Sequence, residues 1–580
     1  MAANHPHLKE FLTKNLKWLA AMLVFAAVYV VYTGNIMLQP DRYLIGRLDM
    51  QSDVPVFYNN IYLFEKKVTA GQSPLHNDME MYPAGFSMTM NSHNFIMGAF
   101  CLLFDDNTIG LNVGLWLSFI LSGLGAALLC YRFVPNYWAA LLAGFIFAFS
   151  PWKMIKLQDH HWFALTAAMP FYIYHFIDVF TFEGRRFLPA IASYKKLVYC
   201  LLLGIVTALS EYYLTFFLLY FSGFYIVIKH YVQPWRIDFK KLRPWLLIAL
   251  ITGIASTAVS LLDAMGWDDK GAFFWGGDLA AYFLPVYSPW VTNLLGSVGL
   301  EIPAYQENFF FLGFSFIAFT VATVFIARKQ ENSTPTEVKT FAWLSLLFVM
   351  LSLPVLKVLG HFLFYLPTAL IHYIPFVNNV RVITRIFVLF SLLFPIVVLW
   401  YFNNSIKKQV VTAVSIALLV VLFIEFKPNP YQTIDKQSIP KEVYELKPMK
   451  GDVVLPIPAG LRDGFTQIGL NNSDMLYFQT IFDKKMIGGY TARLSSKVKQ
   501  LYLIDPVMRD ILKLSENPNQ ELPKPTPQQV DAFFAAFAPD IIFIHPKYRA
   551  TAAERYIFEI AGRKGFRLAN AGEYLIMTRH

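Results

Sequence analysis

Up to about residue 426 the apolar positions run in long blocks separated by short charged loops; beyond it they fall into short runs. A helix needs about 20 mainly apolar residues to cross a bilayer, or about 17 at the low end. On that measure the pattern predicts about eleven spans, near residues 18 to 38, 109 to 131, 138 to 150, 161 to 178, 196 to 210, 213 to 230, 245 to 262, 309 to 327, 340 to 356, 385 to 402 and 408 to 425. The short ones are expected to extend into their flanks. The run from Leu197 to Tyr231 is too long for one crossing and breaks at Ser210, Glu211 and Tyr212, because a carboxylate makes a poor span centre. Phe95 to Phe104 is expected as an interfacial helix. The Pro-punctuated stretch between Leu356 and Arg385, too short for two crossings, is expected as a re-entrant or surface-lying segment.

From Lys427 onward strand-like runs (GDVVLPIP, KKMIGGY, DIIFIHP, FRLANAGEYLIMTR) alternate with helical patterns (PTPQQVDAFFAAFA, ATAAERYIFEIAGRKG). This predicts an α/β or α+β domain over 426–580, behind a membrane domain over 1–425. There is no repeat of solenoid period and no low-complexity tract.

Composition agrees with a largely lipid solvent: of 580 residues 56% are hydrophobic and 15% charged. The mean hydropathy is +0.44. A net charge of +10 suggests a nucleic-acid partner until the positions are inspected. Arg132, Arg185, Arg186, Lys195, Lys196, Lys229, Arg236, Lys240, Lys241, Arg243, Arg328, Lys329, Lys407 and Lys408 all fall on the side of Lys9, Lys14 and Lys17 if Phe95–Phe104 does not cross. That is the positive-inside pattern, and it excludes the nucleic-acid reading. The opposite face receives the loop 39–108 and a second loop, 263–308, where Asp263, Asp268, Asp269, Asp278, Glu301 and Glu307 face a single Lys270. The expectation is therefore a multi-pass inner-membrane protein with a cytoplasmic N-terminus and an extracytoplasmic (periplasmic) C-terminal domain. The first span has no cleavage site after it and is expected to be retained. Cys101, Cys130 and Cys200 lie in or beside apolar runs without metal-ligand spacing.

One stretch of the first loop, DVPVFYNNIYLFEKKVTAGQSPLHNDMEMYPAGFSM, sets an acid after the first span, then an amphipathic helix, then Tyr82, Pro83 and Gly85. SFILSGLGAALL, AALLAGFIFAFSPWKMIKLQDHHW, ENFFFLGF, IPFVNNVRVITRIFVL, VVLPIP and MIGGYTARL follow in order. This succession resembles the GT-C superfamily of integral-membrane glycosyltransferases, and within it bacterial mannosyltransferase-like members. The resemblance implies a polyprenyl-phosphate-linked sugar donor. The chain departs from the family's histidines after Ser-Pro: Lys156 and Asp159 stand near their places, with His160 and His161 alongside.

Such an enzyme needs a carboxylate to take the proton of the acceptor hydroxyl or to hold a divalent cation. Asp53 is the expected base, by its spacing to Gly71 and Tyr82, with Asp49 as its substitute; the two would share a face if helical. The alternative is a solvated loop carboxylate. Asp159 and His160 are the candidate metal ligands, for Mg or Mn, or for Zn or Fe by donor type. A substrate hydrogen-bonding role for His160 stays open, as does the absence of any metal. Arg381 and Arg385, four apart, suit a lipid phosphate or pyrophosphate, with Lys156 assisting; snorkelling to headgroups is the alternative. Glu211 is expected to line the cavity, or to be a structural hydrogen-bonded carboxylate. Glu307, Asp278 and Tyr82 complete the set, with packing or loop anchoring as the other reading for the two acids.

The expected reaction moves a sugar from a polyprenyl phosphate to an extracytoplasmic glycan, lipid or protein, with inversion implied by the resemblance. A flippase of lipid-linked sugars and a catalytically silent scaffold are the rivals. The first predicts internal symmetry, which is not visible.

Overall fold

The computed structural model describes residues 6–49, 52–88, 94–182, 189–232, 275–300, 307–327, 334–373, 380, 382–464, 466–470 and 473–579. The expected span near 245 to 262, the residue Arg381 and most of the acidic loop's charges lie outside these. The chain divides into two compact units: residues 1–32, 115–156 and 163–429 form one, and 33–114, 157–162 and 430–580 the other.

The first unit is a helical bundle. Six described helices are long and apolar enough to cross a membrane: Asn15–Thr33, Asn107–Phe133, Tyr137–Asp159, Tyr212–His230, Ile383–Ser405 and Lys408–Glu425. Tyr194–Ser210 and Thr336–Ser352, of 17 residues each, stand at the lower limit. The protein is thus a polytopic helical membrane protein. Helix contact relies on small residues, as is common in membranes. A Cβ on Gly144 would lie 2.4 Å from the Gly123 carbonyl, and one on Gly123 would lie 2.7 Å from the Phe25 ring. Gly123 and Gly144 belong to SFILSGLGAALL and AALLAGF, so those motifs mark a helix crossing.

Two expected segments differ. Residues 161 to 178 do not form one span: a 3-10 turn, His161–Ala164, precedes a helix of only nine residues, Ala168–Phe176. The span expected from 309 starts at Phe314 and is 14 residues long. It starts there because the Glu425 carboxylate accepts the Ser315 N–H at 3.2 Å and Gly313 turns the chain at φ +93. Within the Pro-punctuated stretch and just before it, Val355–Val358 and His361–Tyr365 form an antiparallel hairpin.

The second unit is built on a five-stranded mixed sheet in the order Lys485–Met486, Val453–Ile457, Ile541–Ile544, Leu575–Thr578, Arg567–Ala571. The first three strands run parallel and the last two complete it antiparallel. Helices Pro527–Phe537 and Ala552–Arg563 bury Phe533, Phe537, Ile557 and Ile560 in its core. The first loop is part of this unit. Tyr43–Ile45 pairs antiparallel with Thr433–Asp435, and Arg42 grips Asp435 at 2.7 and 3.0 Å. Residues 79–82 bind the sheet's edge: Met486 N–H donates to Met79 O at 2.7 Å, Met81 N–H to Gly488 O at 3.0 Å and Tyr82 N–H to Met486 O at 3.1 Å.

Candidate functional site

Polar side chains gather in each unit. In the second, helix Val54–Thr69 begins just after Asp53, because Pro55 fits the first turn, where no N–H partner is required. Asp53 sits at the positive end of that helix without capping it. Its Oδ2 lies 3.4 Å from His160 Nε2, with the two side chains 19% and 12% exposed, enough to meet solvent or a substrate. His160 stands edge-on to Trp162 at 5.6 Å, and Trp162 packs on Phe57 at 5.5 Å. Arg47 Nε lies 3.4 Å from Asp49 Oδ2 and 3.4 Å from Asp159 Oδ1, joining both carboxylates.

The condition under which Asp49 and Asp53 would share a helical face is not met. Asp49 lies in an irregular bend before the helix. The residues that sequence reasoning missed are Arg47 and Asp474. Burial, aided by the charge of Asp49, pushes the Asp474 carboxyl up to about 7. Arg47, two residues before Asp49, carried a signal; Asp474 carried none.

The candidate metal ligands do not make up a ligand set. Asp159 faces the Arg47 guanidinium and His160 faces Asp53, and among the described residues no group of three His, Cys, Asp or Glu converges. His161 is fully buried, edge-on to Phe57 at 5.4 Å, and burial pushes it down to about 4. It is a core imidazole.

In the first unit, Glu307 holds two cations. Its Oε2 is 2.7 Å from Lys156 Nζ. Its Oε1 accepts from Arg385 Nη2 at 2.6 Å and from Nε at 3.1 Å. Lys156 is fully buried and the Glu307 side chain 6% exposed. The Arg385 guanidinium also lies over the Phe163 ring at 4.1 Å and the Tyr213 ring at 5.1 Å. Glu211 separates helix Tyr194–Ser210 from Tyr212–Val227 at the expected break, and accepts the Tyr213 N–H at 3.2 Å. Arg385 lies on a 3-10 turn, Ile383–Ile386; its expected companion Arg381 lies outside the described residues. Glu307 thus neutralises part of the charge of both Lys156 and Arg385.

Two candidates are structural in placement. Tyr82 packs on the core of the second unit, with its carbonyl accepting from Tyr502 Oη at 2.7 Å. Asp278 accepts N–H groups from Ala280, Leu359 and Gly360 at 2.8, 3.1 and 2.7 Å, and so anchors the hairpin turn.

A family model described as a domain of unknown function matches residues 21–427. No curated protein matches the chain in sequence. Among solved structures, the apo oligosaccharyltransferase of Archaeoglobus fulgidus is similar at 12% identity and a TM-score of 0.44, over 91% of this chain and 70% of that one. The arabinofuranosyltransferase AftD from Mycobacteria is similar at 13% identity and a TM-score of 0.47, over 97% and 41%. ArnT from Cupriavidus metallidurans, bound to undecaprenyl phosphate, is similar at 12% identity and a TM-score of 0.36, over 98% of each chain.

Proposed function

The chain belongs to that family, DUF6311, and we propose that it is a membrane glycosyltransferase moving a sugar from a polyprenyl-phosphate carrier to an acceptor outside the cytoplasm. The observation that carries the reading is the Lys156–Glu307–Arg385 cluster. Ionised groups buried in an apolar bundle are costly and mark functional positions, and an ammonium beside a guanidinium suits a phosphate. The order of motifs from the first loop to MIGGYTARL supports the same class.

The proposed chemistry is a displacement. Asp53, held beside His160, takes the proton of the acceptor hydroxyl. The acceptor oxygen forms a bond to the anomeric carbon as the bond from that carbon to the phosphate oxygen breaks, and the electron pair leaves on the lipid phosphate. Lys156 and Arg385, in the first unit, are the cations suited to a lipid phosphate. Attack opposite the phosphate inverts the anomeric centre. Arg47 fixes Asp49 and Asp159, and the second unit selects the acceptor. No step is assigned to a divalent cation.

Asp53→Asn in native membranes tests the reading: transfer from the endogenous lipid-linked sugar pool is lost while the carrier lipid stays bound. Unchanged transfer removes Asp53 from the mechanism. Transport of the lipid-linked sugar across the bilayer, with no product glycan, supports a flippase instead.

A further inference from the structure

We propose that the hairpin Val355–Tyr365 is an interfacial anchor, seated among the headgroups and upper acyl chains of the bilayer. In water a half-buried strand exposes alternate residues. All five residues of His361–Tyr365 are exposed, with Phe362, Leu363, Phe364 and Tyr365 at 54, 52, 53 and 63%. Both faces of this edge strand are therefore apolar and open, which in water makes an aggregation site. Both are satisfied only by a medium that surrounds the strand.

The occupant follows from what the hairpin continues. Helix Thr336–Ser352, which exposes Leu346 at 50%, ends three residues before the first strand. The hairpin base closes on that end through Leu366 N–H to Pro354 O at 3.0 Å, and Thr368 Oγ1 donates to Met350 O at 2.7 Å. The apolar surface of the span thus runs into that of the hairpin. Helix Pro289–Ser297 exposes Trp290 and Leu294 at 57 and 58%. Trp and Tyr among aliphatic side chains are the composition of a membrane–water interface.

The turn is built for an apolar tip. Leu359 and Gly360 have φ of +53 and +81. A water-exposed turn of this kind favours Asn-Gly or Asp-Gly, whereas here a leucine takes the left-handed position and the carboxylate comes from elsewhere in the chain. Asp278 accepts the N–H groups of both turn residues. The carboxylate that holds the turn is thus supplied by the buried Asp278 rather than by a turn residue, and the two strands themselves carry no acid and only Lys357 and His361 as basic groups.

The test places a single environment-sensitive fluorophore on Phe364→Cys, and separately on Phe362→Cys, in the full chain in lipid nanodiscs. The three native cysteines are buried and do not compete. Leu346→Cys on the span is the lipid reference, and Lys524→Cys, whose side chain is 80% exposed, is the water reference. The expected result is a blue shift close to that of Leu346→Cys, loss of intensity with lipids spin-labelled near the headgroup, and protection from aqueous iodide. Emission like that of Lys524→Cys at both positions overturns the proposal. A blue shift that persists without lipid quenching and varies with protein concentration also overturns it, since a second copy of the chain then covers the hairpin.

Discussion

Glu307 and Arg385, 78 residues apart in sequence, are hydrogen-bonded through Nη2 to Oε1 at 2.6 Å and through Nε to Oε1 and Oε2 at 3.1 and 3.2 Å. Removing one partner of a buried pair leaves an uncompensated charge and costs about 3–5 kcal/mol. Glu307→Gln removes the carboxylate that Lys156 and Arg385 share, so its thermal midpoint in detergent is expected to fall well below wild type. Added polyprenyl phosphate is expected to raise that midpoint more in the variant than in wild type, because the anion replaces the lost carboxylate. An unchanged midpoint contradicts the pairing.

Asp53 and His160 are expected to differ in weight. General-base catalysis contributes about 10²–10⁴ in rate. Asp53→Asn should lose most of that factor in a transfer assay. His160→Gln keeps a hydrogen-bonding side chain beside Asp53 and should lose less. Equal and complete loss from both would assign the proton to the imidazole.

Gly489 carries a packing prediction. Its φ is +149, and a Cβ there would lie 2.6 Å from Glu80 Oε2. Gly489→Ala must move Glu80, which Asn59 and Asn77 hold at 3.1 and 2.8 Å. The strain is about 1–3 kcal/mol. Faster limited proteolysis of the 79–88 segment is expected, and an unchanged digestion rate would show that the loop does not depend on this contact.

Glu80 also sets a pH dependence. Burial pushes its carboxyl up to about 7 from 4.5. The folded state therefore binds the proton more tightly than the unfolded state, and stability from this group is full below about 4.5 and lost as pH rises through about 7. The shift corresponds to about 3 kcal/mol at most. Hydrogen-exchange protection of the second unit, corrected for intrinsic rates, should decline between pH 5 and 8, and Glu80→Gln should flatten that decline. A steeper decline in the variant contradicts the assignment.

Long apolar runs were legible because lipid imposes one requirement on them: Lys408–Glu425 is the helix its hydropathy predicts, and Glu211 breaks the run from Leu197 at the expected residue. The alternation in the C-terminal sequence likewise marks the strands Val453–Ile457 and Ile541–Ile544. Helices Asp474–Phe482, Ser496–Ile504 and Pro506–Glu516 were missed, since their apolar positions lie between polar ones and no run stands out. The union of residues 33–114 with 430–580 rests on backbone pairs such as Tyr43 with Asp435, which leave no trace in side-chain pattern. Glu307 drew notice as an acid before FFFLGF, yet its hold on Lys156 joins residues 151 apart, a distance over which local periodicity carries no information.

The most direct measurement is mass spectrometry of the lipid extracted from purified wild-type protein and from Arg385→Met, prepared side by side. A polyprenyl phosphate or its glycoside with wild type, depleted with the variant, is the result the account predicts. Ordinary phospholipids alone from both proteins would contradict it.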